Sequence, residues 1–148
     1  MMLKTTLINA FLLIAISLFA TGCANRATAT PYPKAEVNKL KTVYVKKLPA
    51  DIHGINNLIV EKFRTMGYEA STGSTMPSET DVVVTYIDKW QWDMTMYMIE
   101  LTIVVREPGT NFPIAQGNSY HTSLTRESPK EMVDEVIDNI FKYEEVKQ

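Results

Sequence analysis

The strongest constraint on the fold is a pair of strand-like runs in the middle of the chain. Asp81 opens the first, Val82, Val83, Val84, Thr85, Tyr86 and Ile87, which continues toward Trp90. Apolar residues at consecutive positions leave neither face suited to water, so this strand belongs in the centre of a sheet rather than at its edge. The second covers residues 96–105, where Tyr97, Ile99, Leu101, Ile103 and Val105 alternate as one face of a strand would. A reversal is expected near Asp93, joining the two as a hairpin.

The flanking segments decide what covers that sheet. Residues 42–48 are a β-branched and aromatic run ended by Pro49, which predicts the first strand. Ile55, Leu58, Ile59, Phe63 and Met66 then recur at helical spacing, while Asn57, Glu61 and Arg64 take the other face. Asp51 suits the N-terminal cap of this helix and Gly67 its left-handed C-terminal cap. A short strand is expected over 68–72, and a loop over 73–78. Pro108-Gly109 marks a turn. A more polar strand follows over 114–124, where Gln116, Asn118 and Ser119 predict a partly solvated face. Ser128-Pro129-Lys130-Glu131 is a capping box with proline at the first helical position. Met132, Val133, Val136, Ile137, Ile140 and Phe141 supply that helix with its buried stripe. The order β-α-β-β-β-β-α predicts an α+β two-layer sandwich, one mostly antiparallel sheet of four to five strands covered on one face by two helices.

Near the amino terminus, Leu18-Phe19-Ala20-Thr21-Gly22-Cys23 ends in the only cysteine of the chain. Before it lie Lys4, with no acid beside it, and an apolar stretch over 7–20 interrupted only by Asn9 and Ser17. These are the charged and apolar regions of a secretory signal. A membrane-spanning helix needs about 20 apolar residues, and this run is shorter and lacks a basic flank after it. A simple cleaved signal would leave Cys23 as a free thiol in an oxidising compartment. The segment resembles the bacterial lipoprotein signal, with Gly22 directly before the cysteine and small Ala20 two residues earlier, where Leu is commoner. That resemblance implies removal of residues 1–22, a diacylglyceryl thioether on Cys23, and a further acyl group such as palmitate on its amine. Two or more acyl chains anchor a protein stably. Ala24, in place of the Asp that retains such proteins at the inner membrane, implies the outer membrane, with the folded part in the periplasm. Residues 23–40 are expected to be the lipidated cysteine and a flexible tether, since Pro31 and Pro33 disfavour an edge strand. Residues 41–148 then form a single domain, large enough to bury one core without disulfides or metals.

The strand and helix leading into Gly67-Tyr68, followed by the Val-rich strand after Asp81, give an element order similar to a recurrent group of periplasmic domains. The amino-terminal domain of the Tol-system translocation protein and the lipopolysaccharide-assembly lipoprotein share that broad architecture. The segment from Val84 to Thr95, Val-Thr-Tyr-Ile-Asp-Lys-Trp-Gln-Trp-Asp-Met-Thr, resembles uncharacterised small bacterial lipoproteins more closely. That likeness implies location but no activity.

Enzymatic chemistry finds little support in the residues. The cysteine is committed to lipid, and His53 and His121 are the only imidazoles. No G-x-S-x-G elbow, S-x-x-K motif or phosphate-cradling glycine loop is present. Two isolated histidines do not form a recognisable zinc set, so no catalytic residue, metal ligand or cofactor is assigned. The formal net charge of −2 gives no reason to expect nucleic acid.

One constellation is unusual. Trp90, Trp92, Met94, Met96 and Met98 recur at every second position, so those within one continuous strand share a face. Thioethers can select Cu(I), which gives one alternative: a periplasmic soft-metal or small-ligand carrier. A divergent envelope hydrolase using His121 is a second alternative. Tyr86, Trp90, Trp92, Met94, Met96 and Met98 are better read as an interaction surface, because aromatic side chains dominate binding hot spots. The expectation is a non-enzymatic accessory or scaffold of the cell envelope. Its partners would be the membrane through its lipid, and an envelope protein or a second copy of the chain.

Overall fold

In the computed structural model, residues 25–142 are described, and Ala20, Gly22 and Cys23 of the signal lie outside them. Strands β1 (Arg26–Thr30), β2 (Thr42–Lys46), β3 (Glu69–Gly73), β4 (Val82–Asp93), β5 (Thr95–Arg106) and β6 (Pro113–Tyr120) form one six-stranded sheet, ordered β1-β6-β5-β4-β2-β3. The helices are α1 (Lys34–Val37), α2 (Ile55–Thr65) and α3 (Pro129–Phe141), with a 3-10 turn at Ser123–Thr125. The class is α+β as expected, but two details of the sheet differ. It is mixed rather than mostly antiparallel, and it has more strands than four to five.

Both differences have a local cause. Strands β1, β6, β5 and β4 pair antiparallel, whereas β4 pairs β2, and β2 pairs β3, in parallel. Helix α2 lies between β2 and β3 and provides the crossover that a parallel pair requires. The extra strand is β1, which falls inside the segment expected to be a flexible tether. Pro31 and Pro33 lie just beyond it, so its ladder to β6 runs unbroken from Arg26↔Tyr120 to Thr30↔Gln116. All of its residues are exposed, which is why no hydrophobic period marks it. The chain after it is also fastened. Tyr32 is buried and stacks on Phe141 with ring centroids 5.3 Å apart, its N–H donates to the Ile140 carbonyl at 2.8 Å, and Leu40 is buried.

Helix α3 begins at its capping box and α2 ends at Gly67 as expected, but the N-cap position of α2 is Gly54, with φ 73°, and not Asp51. From the loop before the helix, the Asp51 carboxylate accepts from the backbone N–H groups of His53, Gly54, Ile55 and Asn56 at 2.7–3.1 Å, the last two being donors that the first turn of α2 leaves free. Gly67 has φ 92°, and the N–H groups of Gly67 and Tyr68 donate to the carbonyls of Arg64 and Phe63, the pattern of a Schellman cap. Ser128 and Glu131 complete the capping box of α3.

Helices α2 and α3 pack against each other and against the sheet. Ile55, Ile59 and Phe63 of α2 and the whole predicted stripe of α3 are buried with Val84, Tyr86, Leu101, Ile103 and Val105. Gly117 of β6 sets how closely α3 can lie. A Cβ there would stand 2.9 Å from Val136 Cγ1 and 3.2 Å from the Val136 carbonyl oxygen. Ser119, expected on a solvated face, is instead fully buried and donates its hydroxyl to Glu135 of α3.

Strands β4 and β5 do not alternate evenly along their length. The ladder runs to Lys89↔Glu100 and then shifts, so that Trp90 pairs with Met98 and Ile99 has no partner in it. This bulge reverses the alternation read from the sequence of β5. Met98 therefore joins Leu101, Ile103 and Val105 in the core, and Tyr97 turns to the other face.

Candidate functional site

Beyond the bulge the β4–β5 hairpin continues as a narrow two-stranded tip. Trp90↔Met98 and Trp92↔Met96 are cross-strand pairs two residues apart, so they fall on the same face of the ladder. Their environments differ sharply. Met98 is buried and Trp90 packs partly against the core, whereas Trp92 is 70 % exposed, Met96 55 % and Met94 87 %. The predicted reversal is centred on Met94, which holds φ 59° in the left-handed region. A residue with a Cβ is disfavoured there.

The tip is braced on two sides. The Trp90 indole N–H donates to Asp88 Oδ2 at 2.6 Å, and its ring stacks on His53 with centroids 3.7 Å apart. Arg126, from the segment before α3, donates to the Asp93 carbonyl and to Thr95 Oγ1, both at 2.7 Å. Its guanidinium also lies 4.2 Å above the centre of the Tyr97 ring. These contacts fix the hairpin although its end carries large apolar side chains into solvent.

Of the six residues proposed as a surface, two are interior. Tyr86 is buried because it lies opposite Ile103 beneath the helices, and its hydroxyl is satisfied by donating to Asp51 Oδ2 at 2.7 Å. Burial first, and then this bond to a carboxylate, push the phenol well above its ordinary pKa. Burial acting alone would raise Asp51, but the bonds it receives from Asn56, Tyr86, Ile55 and Gly54 outweigh that and hold it below 3.8. Met98 is interior because the bulge turns it inward. The methionine ladder is therefore divided between turn, strand surface and core, and its thioethers do not converge on one point.

Two further apolar residues belong with the tip and were not found by sequence reasoning. Ile52 is exposed next to His53, which touches Trp90, and Leu124 is exposed in the 3-10 turn that leads to Arg126. Each is a single hydrophobic residue in a loop, so no periodicity reveals it.

A polar cluster lies between the end of β6 and α3. His121 is buried, and its Nδ1 is 3.0 Å from the Thr125 carbonyl oxygen. Its Nε2 faces Glu135 Oε2 at 3.1 Å and Glu127 Oε2 at 3.4 Å. On the far side of the sheet order, Thr42, Arg64, Glu69, Pro77 and Glu79 border an open groove of about 470 Å³. Arg64 is occupied there by the Ala70 carbonyl, to which Nε donates at 2.9 Å.

No protein-family model matches the chain, and no curated protein matches it in sequence. Among solved structures the fold is similar to PelC from Paraburkholderia phytofirmans, at 10 % identity and a TM-score of 0.62, covering 82 % of this chain and 100 % of that one. A point variant of PelC from the same organism is 11 % identical, with a TM-score of 0.59 over the same shares. Both are described as dodecamers. At this identity the likeness concerns the fold.

Proposed function

We propose that this chain is a lipid-anchored, non-enzymatic component of the bacterial cell envelope. Its α+β body is a two-layer sandwich that presents the β4–β5 tip to a protein partner, in the first place another copy of itself. The observation that carries this reading is the tip: Trp92, Met94 and Met96 stand exposed on a hairpin held by Arg126. The fixed hairpin loses little backbone freedom on binding, while its exposed thioether side chains can adapt to a partner's surface. Met94 adds weight, because a turn residue in the left-handed region is best served by Gly or Asn, yet a bulky apolar side chain stands there. The dodecameric state of PelC, whose fold is similar, supports self-association as the first partner. The lipobox residues Ala20, Gly22 and Cys23 motivate the anchor, and Ala24 its placement in the outer membrane, with the body in the periplasm.

The non-enzymatic reading is favoured over a hydrolase by His121, which is buried and engaged by its neighbours rather than open to a substrate. The separation of Met94, Met96 and Met98 weighs against a Cu(I) carrier in the same way. Metabolic labelling with palmitate tests the anchor: label is expected in the natural chain and lost in Cys23→Ser. Analytical ultracentrifugation tests the surface. The doubly substituted Trp92→Ser, Met96→Ser chain should sediment as a smaller species than the natural one, with unchanged circular dichroism. Equal sedimentation would remove self-association through the tip.

A further inference from the structure

We propose that His121, Glu127 and Glu135 bind one divalent transition-metal ion, with Zn²⁺ the best match to the donor set. The hydrogen bond at Nδ1 sets the tautomer of His121. A carbonyl oxygen can only accept, so the bond between Nδ1 and the Thr125 carbonyl places the ring proton on Nδ1. The neutral ring then presents its Nε2 lone pair to Glu135 Oε2 and Glu127 Oε2, at 3.1 and 3.4 Å. Three acceptors thus converge on one point; the Ser119 hydroxyl donates to Glu135 Oε2, and among the described residues the Nε2 lone pair and Glu127 Oε2 face that oxygen without a donor of their own. The nearby protein cations are engaged elsewhere: Arg126 with Asp93 and Thr95, Lys130 with Asp134, and Lys62 with Asp138. Such an arrangement is stabilised by a positive charge at its centre.

Its dimensions suit a metal. Ligands about 2.0–2.1 Å from a tetrahedral ion lie about 3.3 Å from one another, close to the two separations from Nε2. All three donor atoms fall within 4.8 Å of one another, so closure needs only a small movement of the carboxylates. The outer groups are also in place. The Thr125 carbonyl orients the imidazole, and the Ser119 hydroxyl donates to Glu135, as the partners of metal ligands commonly do. The imidazole is buried, but the Glu127 and Glu135 side chains are 35 % and 31 % exposed, which leaves an entry path and room for a water as fourth ligand. One imidazole nitrogen with two carboxylates favours Zn²⁺ over Cu(I), which prefers thiolate and thioether, and over Mg²⁺ or Ca²⁺, which prefer all-oxygen sites.

The ion would tie the end of β6 to α3 across the segment that carries Arg126, and so strengthen the brace on the hairpin. The competing occupant is a proton on Nε2. To separate the two, the full-length chain in detergent, stripped with chelator, is titrated with Zn²⁺ by calorimetry beside Glu127→Gln and Glu135→Gln. Binding of one ion per chain with Kd below about 10 µM is expected, weakened at least about tenfold in each variant. Co²⁺ should give visible ligand-field bands at the same stoichiometry, lost in the variants. Glu127 lies in the loop before α3, so its replacement reports on binding even where Glu135→Gln costs stability. Absence of saturable binding up to about 1 mM Zn²⁺, or binding indifferent to both variants, overturns the proposal. So does a proton retained on His121 Nε2 at saturating Zn²⁺, read by ¹⁵N NMR.

Discussion

Strands β4 and β5 each have 12 residues, and the bulge at Lys89 and Trp90 divides them into halves that behave differently. On one side Val84, Tyr86, Leu101, Ile103 and Val105 are sealed beneath α2 and α3; on the other Trp92, Met94 and Met96 project past the helices into solvent. Both halves are rich in large apolar residues. What separates them is cover: the same side chains are core where a helix lies over them and surface where none does. The body half holds its geometry by packing, and the tip half by polar bonds from Arg126 and Asp88.

Substitutions placed on the two sides should therefore differ in what they damage. The largest effect is expected from Ile103→Ala, which opens a cavity in the sealed half and should cost about 2–5 kcal/mol in urea unfolding. A loss below about 1 kcal/mol would mean that the body half is less tightly packed than the structure has it. Next comes Gly117→Val, whose branched side chain meets Val136 and Ile140 and should cost about 1–3 kcal/mol by forcing α3 away from β6.

Asp51→Asn weakens the bonds to the first turn of α2 and the Tyr86 bond, with an expected loss of about 1 kcal/mol at neutral pH. The sign of its pH dependence follows from a folded-state pKa below 3.8. Its contribution is complete above that value and disappears as pH falls through the folded pKa. Asp81 acts in the same sense, because the N–H groups of Thr42 and Lys41 donate to it and lower it. Acid unfolding of Asp51→Asn should thus be shallower than that of the natural chain. An unchanged acid profile would remove Asp51 from the account.

The smallest stability effects belong to the tip. Trp92→Ala should lie within about 0.5 kcal/mol of the natural chain. Met94→Gly relieves a left-handed methionine and should be neutral or stabilising by less than about 1 kcal/mol. A large destabilisation by either would show that the tip is part of the core, and the contrast between the halves would fail.

Much of the body was legible because its signals are periodic. The stripes of α2 and α3, the capping box at Ser128 and the Val-rich centre of β4 each follow from spacing alone. What was missed depends on partners distant in the chain. Strand β1 is exposed on both sides and is defined by its backbone ladder to β6, so its side chains carry no pattern. The bulge turns Met98 into the core and Tyr97 to the opposite face, where it is buried beneath Arg126, a change of face that the sequence of β5 does not encode separately from its pairing. Tyr86 looked like a surface aromatic because the carboxylate that satisfies its hydroxyl lies in a loop 35 residues away. The polar cluster joins His121, Glu127 and Glu135, whose spacing matches no short metal motif until β6 and α3 come together.

The tip, and not the rest of the exposed surface, is where we propose that this chain meets another protein. A photocrosslinking amino acid placed in living cells at Trp92, and separately at Ile87, tests it within a single strand. Ile87 is also exposed and apolar, but it lies on the body side of the bulge. Crosslinks to a protein from position 92, to this chain itself foremost, with none from position 87, are the predicted result. Crosslinks from 87 in the absence of any from 92 would contradict it.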